Sequence, residues 1–142
     1  MKKLLFWLLS WTWGLPLTLL GALVALALLV TGHKPQTFHG FVYFEVGGYG
    51  WGGFELGPFF VVSQDPGLSL KQHEAGHGLQ NIMLGPVMPF VVSIPSAARY
   101  WWREYLTRSG KKKFWELPPY DSIWFEGWAT ALGEKHFPEV EA

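Results

Sequence analysis

The strongest constraint on this chain is a long stretch near its N-terminal end: residues 4–31 contain no Asp, Glu, Lys or Arg. A helix crosses the ~30 Å hydrocarbon layer of a bilayer with roughly 20 apolar residues, so this stretch is long enough to span with some tilt. Lys2 and Lys3 precede it, which predicts a cytoplasmic N-terminus, and Trp7, Trp11 and Trp13 cluster where an interfacial belt would lie. Gly14-Leu15-Pro16 predicts a kink, leaving residues 17–30 as the most apolar part. A cleavable signal peptide is the alternative. It needs a shorter apolar region of about 7–15 residues and a small-residue cleavage pattern, which Val30-Thr31-Gly32-His33-Lys34 does not supply. The expectation is therefore a retained transmembrane anchor over residues 1–33, in a membrane of the bacterial inner-membrane type, followed by one small domain over residues 34–142.

Composition agrees with a lipid bilayer as partner. Charged residues are 15% of the chain, against about 25% in ordinary soluble domains, and nine tryptophans are present. The formal net charge is zero, so no global field draws nucleic acid, and none is expected as a partner. The chain has no cysteine, which excludes disulfides and thiolate metal sites. Any metal must be held by histidine and carboxylate. Composition says nothing of oligomeric state.

Beyond the anchor, residues 41–46 and 59–63 are rich in aromatic and β-branched residues and predict strands, a small hairpin or sheet. Between them Gly47-Gly48-Tyr49-Gly50-Trp51-Gly52-Gly53 reads as a turn. It is no phosphate-binding loop, because no Gly-Lys-Ser/Thr follows. Asp65-Pro66 predicts the start of a helix that Gly85-Pro86 ends, with Asp65 as N-cap. Residues 86–98 are apolar but carry Pro86, Pro89 and Pro95, so residues 86–102 are expected to be bent or re-entrant. Residues 99–113 then hold six Lys or Arg among Tyr100, Trp101, Trp102 and Tyr105, a pattern suited to anionic headgroups. A last helix is expected from Asp121, as its N-cap, to Leu132. The fold class is thus an α+β membrane protein.

The chemistry is carried by His73-Glu74-Ala75-Gly76-His77. On a helix, residues four apart share a face, so both imidazoles can reach one metal ion. Glu74 lies about 100° around the helix, at the flank of such a site, where it suits a general base activating zinc-bound water. Zinc held by two histidines takes a third protein ligand and keeps a position open. The candidates are His33, His39, His136 or a carboxylate. Glu126 stands out as the only charge in Trp124-Phe125-Glu126-Gly127-Trp128-Ala129-Thr130-Ala131-Leu132-Gly133, because a lone carboxylate on an apolar helix is costly unless exposed, paired or metal-bound.

The histidine motif followed by a second helix bearing Glu126 resembles the gluzincin branch of zincin metallopeptidases. Residues 59–133, with HEAGHGLQNIMLGP and FEGWATALG, are also similar to small membrane proteins of unknown function that pair an HExGH helix with an E-x-W-A helix. The resemblance implies Zn2+ as cofactor, His73, His77 and Glu126 as its ligands, Glu74 as the base, and a peptide or protein substrate. Gluzincins often carry an aspartate four residues after the ligand glutamate, orienting a zinc histidine; here that position is Thr130. Zincins pair extended substrate with a strand edge, and residues 59–63 are the expected strand. Tyr120, Tyr105 and Tyr100 are equal candidates to polarise the substrate carbonyl. Two other readings compete. One is a site-2-type intramembrane protease, which uses a downstream aspartate where this chain offers only Asp65 and Asp121. The other is a non-catalytic membrane protein with a structural or vestigial zinc site.

Overall fold

The structure, a computed structural model, describes residues 2–138. Two N-terminal helices, α1 (Lys2–Trp11) and α2 (Leu15–Val30), precede strands β1 (Gln36–Phe38), β2 (Phe41–Tyr49), β3 (Gly53–Leu56) and β4 (Phe59–Gln64). Helices α3 (Leu68–Leu84), α4 (Ile94–Arg108) and α5 (Trp124–His136) complete the chain. The architecture is α+β with one four-stranded sheet in the order β1-β2-β4-β3. β1 and β3 run antiparallel to their neighbours, whereas β2 and β4 pair in parallel.

The uncharged N-terminal stretch is broken where Gly14 and Pro16 predict a kink: α1 and α2 meet at a bend of 100°, and among the described residues no single helix is long and apolar enough to cross a membrane. Neither helix stands away from the domain. Phe6 and Trp7 of α1 pack into a core with Phe41, Phe60, Val62 and Ala75, and the Trp7 indole N–H donates to the Gly40 carbonyl at 2.8 Å. Burying each such aromatic contributes about 2–3 kcal/mol. Helix α2 buries Leu17, Thr18, Gly21 and Ala25. Gly21 sits against the Leu56 carbonyl of β3, where any Cβ would overlap it.

Three local expectations change. Residues 59–63 are not an edge. β4 lies between β2 and β3, with four consecutive residues, Phe60 to Ser63, buried. The edges are β1 and β3; β3, next to β4, has four residues between Gly52 and Gly57-Pro58, too short to register against its glycine-rich flank. Asp65 does not cap α3. It adopts a left-handed φ of 53° directly after β4, its N–H donates to Glu45 Oε1 at 2.9 Å, and Gly67 takes the N-cap position. Asp121 likewise lies in a 3-10 turn ahead of α5, whose N-cap is Ile123.

Residues 86–102 are bent, as the prolines predict. A 3-10 turn (Gly85–Val87) and a π-helical turn (Pro89–Ser93) lead into α4, and the axis turns by 116° across this break. Helix α4 has no buried residue at all. It flanks the domain as an arm, and a large cavity opens between it and the edge of β3.

Candidate metal centre

Helices α3 and α5 cross at very short range because glycines face carbonyls at two points. A Cβ on Gly76 would overlap the Ala129 carbonyl oxygen, and one on Gly133 would overlap that of Gln72. Ala75 and Ala129 fill the remaining space, both fully buried. This contact brings the face carrying His73 and His77 onto the face carrying Glu126 and Thr130, so that two i,i+4 pairs oppose each other.

One ligand atom from each of His73, His77 and Glu126 lies within 4.8 Å of the other two. Glu126 Oε1 is 3.2 Å from His73 Nε2 and 2.7 Å from His77 Nε2. Among the described residues these three form the one such group of three or more, and neither Asp65 nor Asp121 belongs to it. Glu126 is fully buried, so its charge is matched by partners rather than by water.

The far sides of both imidazoles are fixed. Gln80 Nε2 donates to the Phe125 carbonyl at 2.8 Å, leaving Gln80 Oε1 as an acceptor 2.7 Å from His77 Nδ1. His77 therefore carries a proton on Nδ1, which leaves Nε2 to face the Glu126 carboxylate, with a lone pair there only when a metal replaces the second proton. His73 Nδ1 lies 2.9 Å from the Thr130 hydroxyl, which can accept its proton and free Nε2 in the same way. Two lone pairs aimed at a carboxylate oxygen repel unless a cation lies between them. A divalent metal fits this donor set, because metal-bound histidines usually hand their other ring N–H to an acceptor. Ligands about 2.0–2.1 Å from a tetrahedral zinc stand roughly 3.3 Å apart, close to the His73–Glu126 separation. The shorter His77–Glu126 distance is that of a shared proton.

Without metal that proton resides on His77. Burial opposes its charge, but the hydrogen bond to Glu126 and the charges of Glu74, Glu126 and Glu55 outweigh burial and push it up to about 9. Burial likewise works to raise Glu126, and the bonds from His73, His77 and Ser96 overcome it, holding the carboxyl well below its usual range. A histidine raised from an unfolded value of about 6.5 stabilises the fold fully below pH 6.5 and loses that contribution as pH rises through about 9. The metal-free chain should therefore lose thermal stability progressively between pH 6.5 and 9.5, a loss absent from His77→Ala. A flat profile over that window would mean the pair does not form.

Glu74 lies beside this cluster, buried between α3 and the edge strand, where Gly53 packs close to its Oε2. Burial raises its pKa, the charges of His73 and His77 lower it, and that of Glu126 raises it. Glu74, His73 and His77 line a cavity of about 1300 Å³, with Glu126 buried behind the two imidazoles; the other walls are residues 50–56, one side of α4, and residues 117–121. Residues of β3 are thus on the cavity wall, next to Glu74. The Tyr100 hydroxyl donates to the Trp51 carbonyl at 3.0 Å, bridging the two sides of the opening.

The structure distinguishes among the tyrosines. The Tyr120 ring lies 6.1 Å from that of His73, its hydroxyl is raised in pKa by burial and by the Glu126 charge, and it faces the cavity. Tyr100 is bonded to Trp51, and Tyr105 is exposed and accepts from Lys111. Tyr120 is held by α4: Arg99 donates to the Tyr120 and Pro119 carbonyls, Arg103 to the Pro118 carbonyl at 2.6 Å, and both guanidiniums lie over the Tyr120 ring. Three positions earlier, Ser96 donates to Glu126 Oε2 at 2.8 Å.

Several contributors escape sequence reasoning. Glu55 is buried, accepts from the Gly57 N–H at 2.6 Å, and is pushed up to about 8 by burial and by the Glu74 charge, against the opposing pull of His77. Its one signal is a glutamate between Phe54 and Leu56. Ser96, Arg99 and Arg103 share a face at helical spacing, but their acceptors are main-chain carbonyls, which no side-chain pattern announces. His33, His39 and His136, the other candidate ligands, lie outside the cluster; His39 pairs instead with the Pro138 carbonyl. No family model, curated protein or solved structure matches the chain.

Proposed function

We propose that the chain is a membrane-associated zinc-dependent hydrolase acting on peptide bonds, a minimal gluzincin-like metallopeptidase. His73, His77 and Glu126 hold the zinc, and Glu74 is the general base. The observation that carries this reading is the meeting of His73 and His77 with Glu126 across two helices, with Glu74 beside them on a substrate-sized cavity. When bound, zinc would polarise a carbonyl and lower the pKa of a water molecule to about 7. The chain's own residues do the rest. Glu74, raised by burial, accepts the proton of the attacking water and returns it to the departing amine. Tyr120 offers an O–H toward the oxygen on which charge develops. Thr130 and Gln80 hold the two imidazoles in the tautomer that presents Nε2, doing by hydrogen bonding what an aspartate does elsewhere. The β3 edge, with no further strand beyond it, aligns an extended chain through main-chain hydrogen bonds.

One observation favours the non-catalytic reading. A protonated His77 bonded to Glu126 pins α3 to α5 without any metal. Metal analysis of the purified full chain separates the cases. Wild type should carry one equivalent of zinc, and His77→Ala and Glu126→Ala none. Zinc retained at full stoichiometry in Glu126→Ala would remove that residue from the ligand set and the gluzincin reading with it.

A further inference from the structure

Two segments of this chain are free of Asp, Glu, Lys and Arg, 4–33 and 75–98, and the fold joins their outer surfaces. The Trp13 indole N–H donates to the Met83 carbonyl at 3.3 Å, Gly85 lies against the Trp13 ring, and Leu17 shares a core with Met88 and Val92. Outward from that seam project Leu19, Leu23 and Leu26 of α2 and then Val87, Phe90 and Ile94, all about half exposed or more. Six exposed apolar side chains on the two segments joined at this seam exceed the scattered single apolar residues normal on a soluble monomer.

Helix α4 grades this surface along its length. Ile94 at its start is exposed and apolar, Trp101, Trp102 and Tyr105 are exposed further along, and Arg108 ends it, with Lys111, Lys112 and Lys113 just beyond. Apolar, then aromatic, then basic is the order met on leaving a bilayer through one leaflet: hydrocarbon, interface, phosphate. The scale also agrees. From Ile94 to Arg108 the rise is about 21 Å at 1.5 Å per residue, and half of a 40–45 Å bilayer is about 20–22 Å. Arg99 and Arg103 do not compete for lipid, because their guanidiniums are engaged with the carbonyls of residues 118–120. The cations facing phosphate are Arg108, which also pairs with Glu104 at 3.0 Å, and Lys111, Lys112 and Lys113, of which Lys111 also donates to the Tyr105 hydroxyl.

We infer that the protein is seated in a single leaflet of an anionic bilayer, with α4 running from the acyl region at Ile94 to the headgroups at residues 108–113. Trp101, Phe114 and Trp115, on the cavity rim, then hold its mouth at headgroup depth. This deepens the membrane part of the proposed function and does not depend on its catalytic part.

The absence of cysteine makes the test direct. Single substitutions Leu23→Cys, Ile94→Cys, Trp102→Cys and Lys112→Cys in the full chain are spin-labelled in vesicles of phosphatidylcholine and phosphatidylglycerol. Oxygen accessibility should dominate at 23 and 94, equal that of a water-soluble nickel chelate near 102, and fall severalfold below it at 112. An impermeant maleimide should reach His33→Cys and Lys112→Cys from the same side of sealed vesicles. Labelling from opposite sides would overturn the one-leaflet seating while leaving membrane association intact. Failure of the chain to float with vesicles, or equal nickel access at 94 and 112, would overturn both, and the apolar surface would then be a protein interface.

Discussion

Glu74→Gln is expected to abolish peptide hydrolysis while leaving one equivalent of zinc in place. The substitution keeps the volume and one carbonyl oxygen but removes the carboxylate beside the cluster that takes a proton from water in the proposed mechanism. General-base removal lowers turnover by about 10²–10⁴-fold. Because Glu74 is flanked by His73, His77 and Glu126 without being in the ligand group, metal content should barely move. The control is Glu55→Gln, which alters a buried carboxylate one step further out and should leave turnover within roughly tenfold. Hydrolysis surviving intact in Glu74→Gln would end the catalytic reading and favour a site that only fastens helices together.

Gly76→Ala should have the largest effect on the fold. Its new methyl group would meet the Ala129 carbonyl oxygen, part of the α5 main chain, so no side chain can swing aside. Gly133→Ala makes the same clash against the carbonyl of Gln72. Forcing atoms into a packed contact costs about 1–3 kcal/mol or more, which for a chain of this size means a Tm lower by roughly 5–10 °C. The ligand set should suffer more than the fold. Separating the helices draws His73 and His77 from Glu126, so zinc should be lost at temperatures where secondary structure persists. Gly48→Ala, which meets nothing within 4 Å, is the reference and should change neither. Equal zinc content in Gly76→Ala and Gly48→Ala would show that the crossing does not set the site.

How much of this was legible in the sequence depended on range. The histidine pair was readable because i,i+4 spacing is local, and Glu126 because one carboxylate on an apolar helix needs a partner. Thr130 was noted as a departure, and its hydroxyl lies against His73 where an acid was expected. The kink at Gly14 and the bend after Leu84 followed from proline and glycine alone. What failed depended on pairing. Whether a strand is central or edge is set by its neighbours, so residues 59–63 read as an edge although β4 is flanked on both sides. The four residues of β3 were hidden because glycine-rich flanks carry no alternation. The basic segment misled in part, since composition counts arginines but does not reveal that two of them hold carbonyls rather than lipid.

The Tyr100–Trp51 hydrogen bond has a consequence for traffic through the cleft. It closes a ring: β3 and its glycine-rich approach on one side, α4 on the other, and one hydroxyl as the clasp. On the proposed peptidase reading, a polypeptide lying along β3 would pass through that ring, with two ways in. A free end can be threaded past the clasp, or the clasp opens and the glycine-rich approach yields, with left-handed Gly47, Gly50 and Gly52 as its pivots. A loop anchored at both ends in a folded protein can use only the second way. Tails and unravelled chains could use either, so on that reading the clasp would sort substrates by their freedom rather than by their side chains.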